Sequence, residues 1–167
     1  MMICIVDKNN KIIKINQSNY LKSDNERPCY AWSKVGDIYT EQEPLEYARQ
    51  RYLNMVGAEF ANKRDAIRKI NINGKTYGFD CASEDIVNFM ASWQAAKTDG
   101  KTMYKVWLDD KTKGLVMLTV ADFESVFNTV RQSQYQAYAW YNDVASKIKN
   151  AQSVWDMEQA LGGAGIA

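Results

Sequence analysis

The feature that most constrains this fold is a stripe of apolar residues that recurs every three or four positions between positions 123 and 155. Its members are Phe123, Phe127, Val130, Gln134, Ala137, Tyr141, Val144, Ile148, Ala151 and Trp155. Only Gln134 is strongly polar, and steps that alternate between four and three residues keep one side of an α-helix apolar. The sequence therefore predicts one long C-terminal helix. Its stripe is expected either at a coiled-coil seam between chains or packed antiparallel against another helix.

A β-hairpin is predicted upstream, in the segment "INGKTYGFD". The pair Asn73-Gly74 supplies the two positive φ angles that a two-residue turn requires. With the turn centred there, Ile70 lies opposite Tyr77, and both side chains share a face with Phe79. The turn chemistry and the apolar face agree on the same register.

The remaining elements follow from periodicity and turn signals. Residues 2–15 predict two short strands around a turn at 7–11, and "CYAWSKVGDIYT" has the aromatic and β-branched content of one or two more. Residues 44–66 have helical spacing. After the hairpin come a helix that stops at Gly100 and two strands that flank "DDKTKG".

The predicted fold class is therefore α+β: an N-terminal β-rich module, a connecting helix, then ββαββα with a long heptad-patterned C-terminal helix. The corresponding division is residues 1–43, 44–66 and 67–161. The tail "LGGAGIA" is too glycine-rich to continue a stable helix, so residues 162–167 are expected to form a flexible tail that is either frayed or docked elsewhere.

The chemistry open to the chain is limited by its composition. None of the 167 residues is histidine, which excludes Ser-His-Asp and Cys-His catalysis and most transition-metal sites. The sequence predicts no catalytic residue, no metal ligand and no cofactor. Net charge is +1, which gives no electrostatic footprint for nucleic acid, and no apolar run is long enough for a membrane span. Three widely spaced cysteines are typical of a reduced, cytosolic chain.

Two local clusters invite a chemical interpretation. Asp80 and Cys81 precede a helix start, where a thiolate would be stabilised. Without a histidine or a second nearby cysteine, a small buried residue that closes a turn is the better interpretation. Asp109 and Asp110 are not part of a D-x-D-x-D-G pattern with a terminal Glu, which a calcium-binding loop requires. A polar hairpin tip is the better interpretation of these two residues.

An interface is the preferred interpretation of the last helix. The residues predicted at an oligomer seam are Phe123, Phe127, Val130, Ala137, Tyr141, Val144, Ile148 and Trp155. Tyr135, Tyr138 and Trp140 fall on flanking or outer faces, where exposed aromatic side chains favour a protein partner. The helical stripe by itself does not decide whether the seam packs within one chain or between chains.

From position 63 onward, the segments "KRDAIRKININGKTYGFDCASEDI", "YKVWLDD" and "GLVMLTVADF" occur in a familiar order before the long helix. This order resembles a small uncharacterised C-terminal domain of proteins from the tail and tail-fibre gene regions of bacteriophages. The matching positions are Arg64, Arg68, Gly74, Phe79, Asp80, Ser83, Trp107, Leu118 and Thr119. The N-terminal hairpin and "VGDIY" at residues 35–39 are similar to short β-modules from the same gene regions.

The resemblance implies a virion component or an assembly factor for one, present in the virion or in the host cytoplasm during assembly, and it brings no catalytic residue with it. Rigid β-modules and a self-complementary helix seam suit an adaptor, so the leading expectation is a non-enzymatic structural protein of the tail or fibre region. We expect it to act as a homo-oligomer and to bind other phage tail or fibre proteins. Two alternatives remain open: a fibre-assembly chaperone absent from the mature virion, and a phage-encoded inhibitor of a host protein.

Overall fold

A computed structural model describes residues 1–18, 20–21 and 23–166. The elements in chain order are β1 (Met2–Val6), β2 (Ile12–Gln17), β3 (Glu26–Pro28), α1 (Leu45–Asp65), β4 (Arg68–Ile72), β5 (Lys75–Phe79), α2 (Ser83–Asp99), β6 (Lys101–Trp107), β7 (Lys113–Thr119), α3 (Val120–Asn150) and α4 (Val154–Gly163). This order confirms the predicted α+β class: a β-rich start, a connecting helix and a ββαββα unit with a long helix. The short α4 is an addition that the sequence did not predict.

The N-terminal module is an antiparallel sheet in the order β2-β1-β3, closed over a small core that contains Cys4, Ile12 and Tyr39. The expected strands in residues 29–40 are wrong, because this segment contributes only an isolated bridge between Lys11 and Ile38. The backbone there makes short-range turn bonds instead, such as the amide of Ser33 to the carbonyl of Tyr30 at 3.0 Å.

The second sheet has the strand order β4-β5-β6-β7 and is antiparallel throughout. Its first hairpin has the predicted register, with Ile70 opposite Tyr77. Asn73 and Gly74 adopt φ angles of 52° and 85°, as the turn requires. One face of the sheet is covered by α2 and the first half of α3. Phe79, Val106, Leu118, Phe89 and Phe123 lie in the core between them.

The long helix α3 differs from its prediction in where it ends. The apolar stripe predicts one helix through Trp155, but α3 stops at Asn150 and Ala151 has extended backbone angles. Ser153 then caps α4, since its side chain accepts a hydrogen bond from the amide of Asp156 at 3.1 Å. Trp155 therefore lies on α4 rather than on α3.

The apolar stripe serves two separate cores along the length of α3. Phe123 and Val130 belong to the core beneath the sheet, whereas Val144 and Ile148 belong to a helical core shared with α1 and α4. Gln134 lies between these groups, and its side-chain amide donates to the carbonyl of Cys81 at 3.5 Å. The single polar member of the stripe thus marks the point where α3 leaves one core for the other.

The C-terminal tail is more structured than the sequence predicts. Gly162 and Gly163 are the last residues of α4, so the expectation that they cannot continue a helix is wrong. Ala164 and Ile166 are partly buried against the core of α1, α3 and α4, and this packing compensates for the poor helix propensity of glycine. Residue 167, which belongs to the same predicted segment, lies outside the described residues.

Candidate protein-interaction surface

In the part of the chain that the structure describes, no helix lies over one face of the C-terminal sheet. Side chains alternate between the two faces of a strand, so the neighbours of buried Phe79, Val106 and Leu118 point away from the core. We call this surface the outer sheet face. It comprises Lys69, Asn71, Thr76, Gly78, Lys101, Met103, Lys105, Trp107, Lys113, Leu115, Met117 and Thr119.

Apolar side chains form the centre of the outer sheet face. Met103 is 46% exposed, Leu115 is 63% exposed and Met117 is 51% exposed. Met103 lies directly opposite Met117 across β6 and β7, and Leu115 follows on the same face of β7. Single exposed apolar residues are ordinary on protein surfaces, whereas a contiguous group of them is typical of an interaction site. We call these three residues the aliphatic patch.

Lysines surround the aliphatic patch. The outer sheet face carries Lys69, Lys101, Lys105 and Lys113, and none of its strand positions holds a carboxylate. Two of these lysines are paired with acids beyond the strands, Lys69 with Asp110 at 2.7 Å and Lys113 with Asp80 at 2.6 Å. Within the described residues, Lys101 and Lys105 make no ion pair. The face is therefore locally basic, although the whole chain has a net charge of only +1.

Asp80 connects the end of β5 to the outer sheet face. Its carboxylate accepts a hydrogen bond from Nε1 of Trp107 at 2.9 Å and another from Nζ of Lys113 at 2.6 Å. The same ammonium lies 4.4 Å from the centre of the Trp107 ring. Burial alone would raise the pKa of Asp80, but the hydrogen bonds from Lys113 and Trp107 outweigh it and lower that pKa below its ordinary value. The cluster orients Trp107 on the sheet and has the contacts of a structural ion pair.

A pocket of about 290 Å³ lies beside Trp107 on this face. Ile67, Trp107 and Leu108 contribute apolar walls, and Gly78 lies beneath them. A Cβ atom added at Gly78 would come within 3.0 Å of both Ile67 and Trp107, so glycine is what lets these side chains approach the strand. The pocket has the size and character to accept one apolar side chain of a partner.

The residues predicted at an oligomer seam are mostly occupied within the chain. Phe123, Val130, Ala137, Val144 and Ile148 are all buried. Phe127 packs against Trp93 with ring centroids 5.1 Å apart, and Tyr141 packs against Phe60 at 4.9 Å. The stripe therefore packs in cis, and of the predicted seam only Trp155 is largely exposed, at 65%. An oligomer of this chain would need another surface.

The three aromatics predicted to face a partner have different environments. Tyr135 is 73% exposed. Tyr138 is half exposed and contacts Phe60, with centroids 4.9 Å apart. Trp140 is partly buried against the helical core, and Nζ of Lys63 lies 4.9 Å from its ring centre. Tyr135 and Tyr138 are therefore exposed, as their prediction assumed, whereas Trp140 is not.

The contacts of Cys81 and Asp109, from the two clusters that invited a chemical interpretation, are those of structural residues. Cys81 is buried, with its Sγ 3.3 Å from the carbonyl of Phe79, and burial raises the pKa of its thiol. Oδ1 of Asp109 accepts hydrogen bonds from the amides of Lys111 and Thr112 at 2.8 Å, which closes the hairpin tip. Across the described ranges, no three His, Cys, Asp or Glu side chains are grouped to hold a metal ion.

Sequence reasoning missed the aliphatic patch, although a signal for it was present. The run "GLVML" of β7 is apolar at consecutive positions, whereas a strand with one solvated face normally alternates apolar and polar residues. Leu115 and Met117 interrupt that alternation. An apolar residue on both faces of a strand indicates either a covered sheet or an exposed interaction site.

Comparisons with protein-family models, with curated proteins and with solved structures found no match to this chain. None of the helices in the described ranges combines the length and the apolar composition needed to cross a membrane.

Proposed function

We propose that the chain is a non-enzymatic structural protein of a bacteriophage virion, an adaptor of the tail or fibre region that works through protein–protein interfaces. The observation that carries the interface part of this proposal is the uncovered outer sheet face with its exposed aliphatic patch. The resemblance of residues 63 onward to a domain from tail and tail-fibre gene regions supplies the virion setting.

The architecture is suited to such a role. The single helix α3 takes part in two cores, so the sheet unit and the helical unit are connected by a continuous element of 31 residues, about 46 Å long at 1.5 Å per residue. A continuous helix of this kind fixes the distance between the two cores without a flexible linker. That property supports an adaptor, which must hold its partners at a defined separation.

Mass spectrometry of purified particles, from the phage that encodes the chain, tests the proposal. We expect peptides of this chain at a fixed ratio to known tail proteins after gradient purification. A variant with Met103→Lys tests the interface, because it places a charge at the centre of the aliphatic patch, and its incorporation should fall. Val87→Lys is the matched control, since Val87 is 68% exposed on α2, away from the outer sheet face.

The same experiment decides among the alternatives. A chaperone would be present in the infected cell in complex with a fibre protein and missing from the particles. An inhibitor would also be missing from the particles, and affinity capture would recover it with a host protein. Absence from purified particles would therefore contradict the adaptor role, and equal incorporation of the Met103→Lys variant would contradict the part assigned to the patch.

A further inference from the structure

Strand β7 forms an edge of the C-terminal sheet, and within the described ranges β6 is its only strand neighbour. Among the described residues, the backbone hydrogen bonds made outside regular elements do not involve positions 113–118. One side of β7 therefore presents amide and carbonyl groups without a backbone partner. Such an edge is a template for pairing with another strand unless something blocks it.

The two edge strands of this sheet, β4 and β7, differ in how well they are protected against pairing with another strand. β4, at the opposite edge, is a shorter strand that carries Lys69 and Asn71 on its outer positions. Its first residue, Arg68, is also held by hydrogen bonds to α1 and α3. In β7, residues 114–119 contain no charge and no proline. Charged side chains are a common protection of an edge strand, and β7 lacks them along most of its length.

We propose that β7 pairs antiparallel with β7 of a second copy of this chain, about a two-fold axis at Val116. In this register Leu115 lies opposite the partner's Met117, and Lys113 lies opposite the partner's Thr119. Gly114 lies opposite the partner's Leu118. The two four-stranded sheets join into one sheet, held across the axis by roughly six main-chain hydrogen bonds.

The sequence of β7 is self-complementary in this register. In the joined sheet, the outer sheet faces of the two copies lie on the same side only if opposite residues of the two β7 strands share a face. A shift of the register by one residue would break this condition, so the nearest alternative registers are shifted by two residues. One such shift places Lys113 opposite Met117, and the other places Leu115 opposite Thr119. Only the register centred on Val116 pairs Leu115 with Met117 twice, and it also aligns the seven residues of both strands over their full length.

In the dimer, the aliphatic patch of one copy adjoins the aliphatic patch of the other. Leu115 and Met117 of one copy adjoin those of the other, and Met103 of each copy lies at the next position along the sheet. Lys105 of each copy then borders the joined patch. Since the predicted seam on α3 is buried within the chain, the β7 edge is the surface that supports self-association. The inference deepens the proposed function, on which it rests only for its virion setting.

Light scattering coupled to size exclusion tests the proposal on the purified full chain, whose monomer mass is 19.1 kDa. We expect a species of twice that mass. The double variant Leu115→Lys/Met117→Lys places like charges opposite each other and should halve the measured mass. The variant Leu115→Glu/Met117→Lys places opposite charges in the two facing pairs and should restore the dimer.

Val87→Lys is the control for an added surface charge and should remain dimeric. Circular dichroism checks that each variant keeps its fold, and hydrogen exchange should show protection of the β7 amides that is lost in the double-lysine variant. A wild-type monomer at every concentration would overturn the proposal, as would a dimer that the double-lysine variant leaves intact. Capture of β7 by a strand of another protein would overturn self-pairing, whereas the adaptor role is decided separately by the particle experiment.

Discussion

Nε of Arg68 donates a hydrogen bond to Oγ of Ser133 at 2.5 Å, which joins the first residue of β4 to the middle of α3. The same guanidinium donates to the carbonyl of Lys63 at 2.6 Å and to the carbonyl of Ala66. Arg68 therefore satisfies carbonyls at the end of α1, where a cation also interacts favourably with the helix dipole. One side chain holds together α1, the sheet and α3 at the junction of the two cores.

Replacing Arg68 should accordingly destabilise the fold. We expect Arg68→Ala to lower the free energy of unfolding by about 2–3 kcal/mol, since hydrogen bonds to a charged group are among the strong ones. Arg68→Lys should recover part of this loss, because lysine keeps the charge but not the planar fork. Ser133→Ala should cost less than Arg68→Ala. Urea denaturation measures all three, and an effect of Arg68→Ala no larger than that of Ser133→Ala would contradict the joining role.

Replacement by alanine should have opposite effects on stability at Gly78, which is crowded by Trp107, and at Gly57, which is not. Gly78→Ala should lower the free energy of unfolding by about 1–3 kcal/mol, because the added Cβ lies 3.0 Å from Trp107 and Ile67 and both must move. Gly57→Ala is its control: that site is in the interior of α1 with nothing within 4 Å of the added Cβ. It should raise the free energy of unfolding by about 0.5–1 kcal/mol. Thermal and urea unfolding of both variants would show whether the signs differ.

The Asp80 cluster predicts a dependence of stability on pH. The pKa of Asp80 is lowered in the folded chain, so its ionised form stabilises the fold above the unfolded-state value of 3.8. That contribution is lost as the pH falls through 3.8 towards the lower folded-state pKa. Asp80→Asn should therefore be less stable than the wild type at pH 7, with the difference shrinking as the pH falls below about 4.

Urea denaturation at a series of pH values measures this difference. Asp143→Asn is a suitable control, because it removes an exposed carboxylate that pairs with Lys147 within α3. A constant difference between wild type and Asp80→Asn down to pH 2 would show that the ionisation of Asp80 does not stabilise the fold.

The three cysteines should differ in their reaction with a thiol reagent. Cys4 and Cys81 are buried, whereas Cys29 is partly exposed. Burial also raises the pKa of the Cys81 thiol, which lowers the fraction of reactive thiolate. In the native chain we expect one fast-reacting thiol, absent from Cys29→Ser, with the other two reacting only after unfolding. A fast reaction of Cys81 in the folded Cys29→Ser variant would reopen its interpretation as a reactive cysteine.

Elements with local sequence signals could be predicted before the structure was known. Asn73-Gly74 specifies a two-residue turn, and this turn places the apolar residues Ile70, Tyr77 and Phe79 on one face. Because the turn and the apolar pattern indicate the same register, the register of that hairpin was predictable. The helix predicted at residues 44–66 is observed at Leu45–Asp65 for the same reason, since periodicity is a property of a short segment. These signals suffice for the order of elements and the fold class.

Which surface each helix or sheet face packs against could not be predicted from the sequence, because it depends on contacts between distant segments. A heptad stripe is the same whether it faces another chain or two cores of its own chain, and only the positions of α1, α2 and the sheet assign Phe123 to one core and Ile148 to the other. Likewise, exposure of Leu115 and Met117 depends on where the helices lie, because strand alternation says which residues share a face but not which face is covered. The apolar run of β7 is compatible with a covered sheet or with an exposed site, and only the folded chain shows that this face is exposed.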